Sequence, residues 1–192
     1  MRFEETPLAG VCVIELDRLE DERGWFARTF DAEEFAAHGL HMEVAQCNIA
    51  FNARAGTLRG MHYQADPHGE SKLVRCIRGR TFHVAVDVRP GSATQCSWLG
   101  VELSPESRRA LYLPTGVAHG SQTLLDDSEV FYQMGHRYVP EAGRGVRWDD
   151  PAFAIEWPPV AGGRERLISQ RDRAFPYWEQ ISEHGEREPI GA

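Results

Sequence analysis

The strongest constraint on the fold is a period-two run. Phe82, Val84, Val86 and Val88 alternate with Thr81, His83, Ala85 and Asp87 over eight residues. A helix cannot place every second side chain on one face, whereas a β-strand must. Pro90-Gly91-Ser92 ends the run with a turn. Stretches of similar length surround it: Lys72 to Arg78 running into Gly79, Ser97 to Leu103, Ala110 to Leu113, Val117 to Leu124 and Glu129 to Met134, each bounded by turn-forming residues. Short, evenly spaced strands predict a mainly β fold, an antiparallel sandwich or barrel. In a small barrel alternate residues point inward, so polar side chains from several strands can line one mouth. One helix is expected early, where Asp31-Ala-Glu-Glu34 forms a capping-box-like start, Phe35-Ala-Ala follows and Gly39 is a plausible stop. Periodicity fades after Trp157-Pro-Pro159. That tail is expected to pack over the barrel, with the last residues loose.

The 192 residues fit one domain, or at most two small ones, with no internal repeat or linker to divide them. A formal net charge of −8 argues against non-specific nucleic-acid binding, while still allowing a local basic site for an anion. No apolar run approaches the roughly 18 residues of a membrane span. The first ten residues carry Glu4 and Glu5 and do not read as a signal peptide. Cys12, Cys47, Cys76 and Cys96 are too scattered for a zinc site; they read as buried or half-buried free thiols in a reducing cytosol. A cytoplasmic protein is the expectation.

Twenty of the 21 basic residues are arginine, and the one lysine is Lys72. A compact ammonium on a flexible stem is what arginine cannot imitate. The segment Gly56-Thr-Leu-Arg-Gly-Met-His-Tyr-Gln64 gathers Arg59, His62 and Gln64, with Gly60 allowing a bend or bulge. Lys72 opens the next strand ten residues after His62, as in a hairpin partner. Further clusters are Leu113 to Gly120 with His119, Glu129 to Gln133 with Tyr132, and Ile168 to Asp172 with Arg171. Taken singly, each has an ordinary reading: His62 as a surface or core histidine, Tyr132 as a core aromatic, His119 as a turn residue, and Asp172 with Arg171 as a solvated loop pair. A metal is not expected, because the position two after His62 is Gln64 and no carboxylate stands at ligand spacing from His83 or His119.

Together these segments are specific. Asp21-Glu-Arg-Gly-Trp-Phe26, Leu58-Arg-Gly-Met-His-Tyr-Gln64, Lys72-Leu-Val-Arg75, Val84-Ala-Val-Asp-Val-Arg89, Leu113-Pro-Thr-Gly-Val-Ala-His-Gly120, Tyr132, Trp148-Asp-Asp-Pro151 with Ile155-Glu-Trp-Pro158, and Ser169-Gln-Arg-Asp172 occur in this order. The chain resembles the dTDP-4-dehydrorhamnose 3,5-epimerase family over roughly residues 8 to 176. The resemblance implies a cupin jelly-roll barrel with short flanking helices, a single domain over 1–192, a homodimer, and no metal or other cofactor. It implies a nucleotide diphosphate 4-keto-6-deoxy sugar as substrate. It matches His62 to the general base, Asp172 to its carboxylate partner, Tyr132 to the acid on the opposite face, and Lys72 to the cation near the C4 oxygen. Arg59, His119, Arg171, Gln46 and Asn48 match substrate and diphosphate contacts. Arg23, Phe26 and Tyr138 match the nucleotide end, partly across the dimer.

The chain departs from the family pattern at Arg28, where an acid near the nucleobase is usual, and at His83, where an Asp is usual behind His119. Ser121 and Gln133 replace a Phe and a Lys. The physical logic runs beside the resemblance. Epimerisation next to a ketone removes a C–H proton and returns one from the other face. An imidazole oriented by a carboxylate suits the first step, a preorganised cation suits the enolate, and a phenol across the ring suits the return. Arginines suit the diphosphate. A single-carbon epimerase, a ketoisomerase on a related keto sugar, or a non-catalytic nucleotide-sugar-binding module are the alternatives at this stage.

Overall fold

The architecture is given by a computed structural model that describes residues 1–179. The chain runs through β1 (Arg2–Glu5), β2 (Cys12–Glu15), β3 (Leu19–Asp21), β4 (Gly24–Phe26), α1 (Ala32–Ala37), β5 (Gln46–Asn52), β6 (Thr57–Gln64), β7 (Lys72–Arg78), β8 (Thr81–Asp87), β9 (Trp98–Leu103), β10 (Arg109–Leu113), β11 (Val117–Thr123), β12 (Ser128–Met134), β13 (Gly143–Gly145), β14 (Leu167–Ile168) and α2 (Gln170–Arg173). The strands expected between Lys72 and Met134 all form, with ends displaced by a residue or so. Helix α1 starts where its cap predicts, the Asp31 carboxylate accepting from the N–H groups of Glu33 and Glu34.

Two antiparallel sheets form a cupin-type jelly roll. Sheet I has the order β1-β2-β10-β7-β12-β5, and sheet II has β13-β6-β11-β8-β9, with β14 added parallel to β6. Strands β3 and β4 make a separate ribbon. Between the sheets, Val74, Cys76, Leu111 and Leu113 of sheet I meet Ala85, Val101, Leu103 and Val117 of sheet II and fill part of the interior. The outer face of sheet I is covered by α1 through Phe35, with Leu40 and Met42. The outer face of sheet II is covered by the later chain, where Val146, Phe153 and Trp157 pack on Val84, Val86 and Val88.

The alternation in β8 therefore has a particular orientation. Its apolar half lies outside the barrel, under the segment 146–178. Its other half, Thr81, His83, Ala85 and Asp87, is also buried. Of the tail, Trp157 and Trp178 pack against this outer face, and the expectation for the last residues lies outside the described residues.

Two expectations are corrected. Lys72 is not on a hairpin partner of the His62 strand, because β7 belongs to sheet I and β6 to sheet II. The loop between them crosses the barrel, so the two residues face each other from opposite walls. The four cysteines are unpaired, yet they are not all shielded, since Cys47 is exposed on the edge strand β5. Among the described residues no helix is long and apolar enough to cross a membrane.

Candidate active site

The open half of the barrel holds a cavity of about 520 Å³. His62, Lys72, Tyr132, Gln46, Asn48, Arg59, His119, Tyr138 and Arg171 all line it. Pleat and register explain how residues so distant in sequence converge. On sheet I, Lys72, Met134 and Gln46 form one cross-strand row, and Val74, Tyr132 and Asn48 the next. On sheet II, His62 pairs with His119, and Arg59 with Ser121, which pairs in turn with His83. Directly opposed residues share a face.

Arg59 and His62 are an odd number of residues apart, so a regular strand would aim them to opposite faces. A register shift between β6 and β11 puts them opposite Ser121 and His119, which share a face. Gly60 makes the shift possible. Its φ is +136°, and a Cβ there would stand 2.5 Å from the Cα of Gly120. The bend anticipated at this glycine is what turns a three-residue spacing into one wall.

Asp172 is buried behind His62, and the reading of a solvated loop pair is wrong for it. Ser169 caps α2 by accepting from the Asp172 N–H (3.0 Å), and β14 docks this segment on β6. One carboxylate oxygen lies 2.7 Å from His62 Nε2, and the other accepts from the Gly60 N–H at 3.3 Å. Burial pushes the Asp172 carboxyl up, but the hydrogen bonds and the adjacent imidazole outweigh it and hold the group below its ordinary range. With Nε2 on Asp172, Nδ1 of His62 is the nitrogen left to take a proton.

Lys72 faces this pair from sheet I. Its ammonium donates to the His62 carbonyl (2.9 Å) and lies 3.0 Å from Glu70, with both side chains almost fully buried. Tyr132 stands on the same sheet as Lys72, its ring edge-on to His119 at 6.2 Å. Burial pushes the Tyr132 phenol up, more than Ser121 and Arg59 pull it down, so it keeps its proton at neutral pH.

Arginines supply the positive charge. Arg59 is oriented by donating from Nε to the Asn52 side chain (2.8 Å). Arg144, for which the sequence carries no local signal, lines the same cavity with a buried Nε that has no hydrogen-bond partner among the described residues. Among the described residues, no carboxylate lies within ion-pair distance of Arg59, Arg144 or Arg171. Glu70 was missed too, although it stands two residues before the lone lysine. Gln46 and Tyr138 are joined, the Tyr138 backbone N–H donating to the side-chain amide oxygen of Gln46. Gln64 ties the strand to the loop above it, bonding to His68, Arg137 and Val139 backbone groups.

Arg23 and Phe26 are not on the cavity. They sit on the exposed β3–β4 ribbon, where Arg23 pairs with Asp21. Arg28 pairs with Asp31 at the start of α1. His119 is a strand residue rather than a turn residue, and its Nε2 lies 3.0 Å from His83 Nδ1. Among the described residues, no group of three or more histidines, cysteines and carboxylates could hold a metal ion.

The family model described as dTDP-4-dehydrorhamnose 3,5-epimerase matches residues 5–180. The dTDP-4-dehydrorhamnose 3,5-epimerase of Methanothermobacter thermautotrophicus is 42% identical over 184 residues, covering 95% of this chain and 96% of the relative. Among solved structures, the rmlC epimerase of Mycobacterium tuberculosis superposes with a TM-score of 0.91 at 34% identity, covering 96% of this chain and 92% of that one. A dTDP-6-deoxy-D-glucose-3,5-epimerase from Legionella pneumophila, solved with dTDP-4-keto-L-rhamnose, superposes with a TM-score of 0.86 at 33% identity, covering 94% of each chain.

Proposed function

Since this chain belongs to the dTDP-4-dehydrorhamnose 3,5-epimerase family, we propose that it inverts C3 and C5 of a dTDP-linked 4-keto-6-deoxyhexose, converting dTDP-4-dehydro-6-deoxyglucose to dTDP-4-dehydrorhamnose. One observation carries the reading: a histidine backed by a buried carboxylate and a tyrosine line the same cavity from facing sheets. A sugar ring between them has a base on one face and an acid on the other, which is what inversion requires.

His62 takes the proton from the carbon next to the ketone, and Asp172 steadies the resulting imidazolium. The electron pair moves onto the keto oxygen as an enolate, which the Lys72 ammonium stabilises. Tyr132 delivers a proton to the opposite face of the carbon. His62 then loses its proton to water and Tyr132 regains one, so solvent hydrogen enters the product. Arg59, Arg144 and Arg171, which have no carboxylate within ion-pair distance among the described residues, suit the diphosphate. Gln46, Asn48 and Tyr138 line the remaining wall. None of these steps calls for a cofactor.

The same reading takes the chain as one domain and as a cytoplasmic homodimer. Leu19, Trp25 and Phe26 on the ribbon and Ile49 and Phe51 on β5 are large apolar side chains in solvent, with exposures of 51–71%. A second copy of this chain would cover them and carry Arg23 and Phe26 toward a neighbouring nucleotide. Sedimentation of the wild type and of a Trp25→Asp, Phe26→Asp variant tests this: a monomeric wild type would end the dimer reading.

The decisive assay is proton NMR of dTDP-4-keto-6-deoxyglucose with the protein in deuterated water. Loss of the C3 and C5 proton signals with formation of the rhamno product is expected. Exchange at C3 alone would reduce the activity to a single-carbon epimerase, and migration of the ketone would make it an isomerase. No exchange would leave a binding module.

A further inference from the structure

Behind the cavity lies a buried chain of hydrogen bonds that the reaction as described does not use. The Thr81 hydroxyl is 2.9 Å from His83 Nε2, and His83 Nδ1 is 3.0 Å from His119 Nε2. The two imidazoles are nearly parallel, 11° apart, with ring centres 5.3 Å apart. His83 is completely buried, and His119 lines the cavity.

Each imidazole here has one nitrogen committed to the other. A single proton lies between His83 Nδ1 and His119 Nε2, and whichever ring holds it decides the tautomer of both. Around His119 stand His62 from β6, Lys72 from β7 with Glu70 beside it, His83 from β8 and Tyr132 from β12. The acid on the cavity wall, Glu70, is taken by Lys72. Among the described residues, therefore, no carboxylate is bonded to either ring. Burial drives both histidines well below the ordinary imidazole range, and the neighbouring His83, Lys72 and His62 drive His119 further.

We propose that His83 is a positioning residue that fixes His119 in its Nδ1–H tautomer, making His119 an uncharged hydrogen-bond donor to the substrate's keto oxygen while Lys72 carries the charge. The inference rests on the epimerase reading, because an oxygen that becomes an enolate needs a donor opposite it. The chain of donors is Thr81 O–H to His83 Nε2, His83 Nδ1–H to His119 Nε2, and His119 Nδ1–H to the ligand. A carboxylate in place of His83 would impose the reverse, accepting from His119 Nε2 and leaving Nδ1 bare unless the ring were charged.

Two substitutions separate positioning from packing. In His83→Asn an amide N–H takes the place of Nδ1–H and still donates to His119. In His83→Phe the ring volume is kept and the donor is lost. Turnover on dTDP-4-keto-6-deoxyglucose is expected to stay within about 3-fold of wild type for Asn. For Phe, kcat is expected to fall by ~10-fold or more with little change in KM, as for a misdirected oxyanion donor. Side-chain 15N spectra of the unliganded wild type are expected to show His119 as the neutral Nδ1–H tautomer, unchanged between pH 6 and 8. A charged or Nε2–H His119 in the wild type overturns the proposal, as does wild-type kcat in His83→Phe. If His83→Phe does not fold, the 15N spectra and the Asn variant still decide. The spectra need no substrate, so a wild type that fails to exchange deuterium defeats the epimerase reading and leaves the tautomer assignment to be judged separately.

Discussion

Replacing Lys72 by methionine would strand Glu70. The two side chains are 6% and 7% exposed and 3.0 Å apart, so removing one leaves a charge in the interior with no partner. Breaking such a pair costs about 3–5 kcal/mol. For a chain of this size each kcal/mol moves Tm by roughly 2–4 °C, giving a fall of about 6–20 °C. Changing both residues, Lys72→Met with Glu70→Gln, leaves no orphan charge, and stability is expected to recover to within about 1–2 kcal/mol of wild type. Activity behaves differently. Lys72→Met and the double variant both lose the cation at the enolate, a loss of ~10²–10³ in kcat. Glu70→Gln keeps the ammonium on the His62 carbonyl and is expected to retain turnover within about 10-fold. Lys72→Arg keeps the charge but overfills the slot, at about 1–3 kcal/mol, and is expected to lose at least ~10-fold in turnover. Thermal unfolding and initial rates on the same preparations check all four. If the single Lys72→Met variant is as stable as the double, the pair does not hold the site together. Wild-type turnover in the double variant would take Lys72 out of the chemistry.

Three other outcomes are expected. His62→Ala should abolish deuterium exchange at both carbons, whereas Tyr132→Phe should leave some exchange but impair inversion, read by NMR in deuterated water; identical behaviour of the two variants would defeat their assignment to opposite faces. Asp172→Asn removes a carboxylate whose folded-state pKa is depressed, so wild type should be the more stable above the unfolded pKa of about 4, and the gap should close as pH falls below it; urea midpoints at pH 7, 5 and 3.5 test this. Arg144→Ala should raise KM by roughly 10-fold, the value of one charge-assisted hydrogen bond, with little change in kcat; an unchanged KM would place Arg144 outside the diphosphate contacts.

What could be read from the sequence, and what could not, divides by the range of the interaction. Strand limits depend on local alternation and turn residues, so β7 to β12 fall where the pattern puts them. The start of α1 depends on Asp31 and the two N–H groups that follow it. Lys72 was conspicuous by composition, and its burial gives that singularity a physical basis. Asp172 was different. Asp172 after Arg171 reads as a solvated loop pair, and nothing local says that this turn docks on a strand 110 residues earlier. Sequence adjacency likewise suggested a hairpin for Lys72, while the chain in fact crosses from one sheet to the other. Glu70 could have been found, since residues two apart on an extended segment share a side. Arg144 carried no signal, because its place on the cavity wall exists only in the fold.

Strand β8 shows the deeper limit. Alternation tells which side chains share a face, never which face is inside. That choice was made by residues 146–178, whose Val146, Phe153 and Trp157 offer an apolar cover to Val84, Val86 and Val88. Once they do, the other half of the strand must enter the barrel, and its polar groups must find partners there. Asp87 finds Arg89, Ser92 and Thr94, whose hydrogen bonds hold its carboxyl far below the ordinary range despite burial. His83 finds Thr81 and His119. The polar groups that this half of the strand turns inward are thus held by specific partners rather than left to rotate. A preorganised polar lining is what a transient enolate requires, so the covering of the outer sheet and the chemistry proposed for the inner one are consequences of the same packing choice.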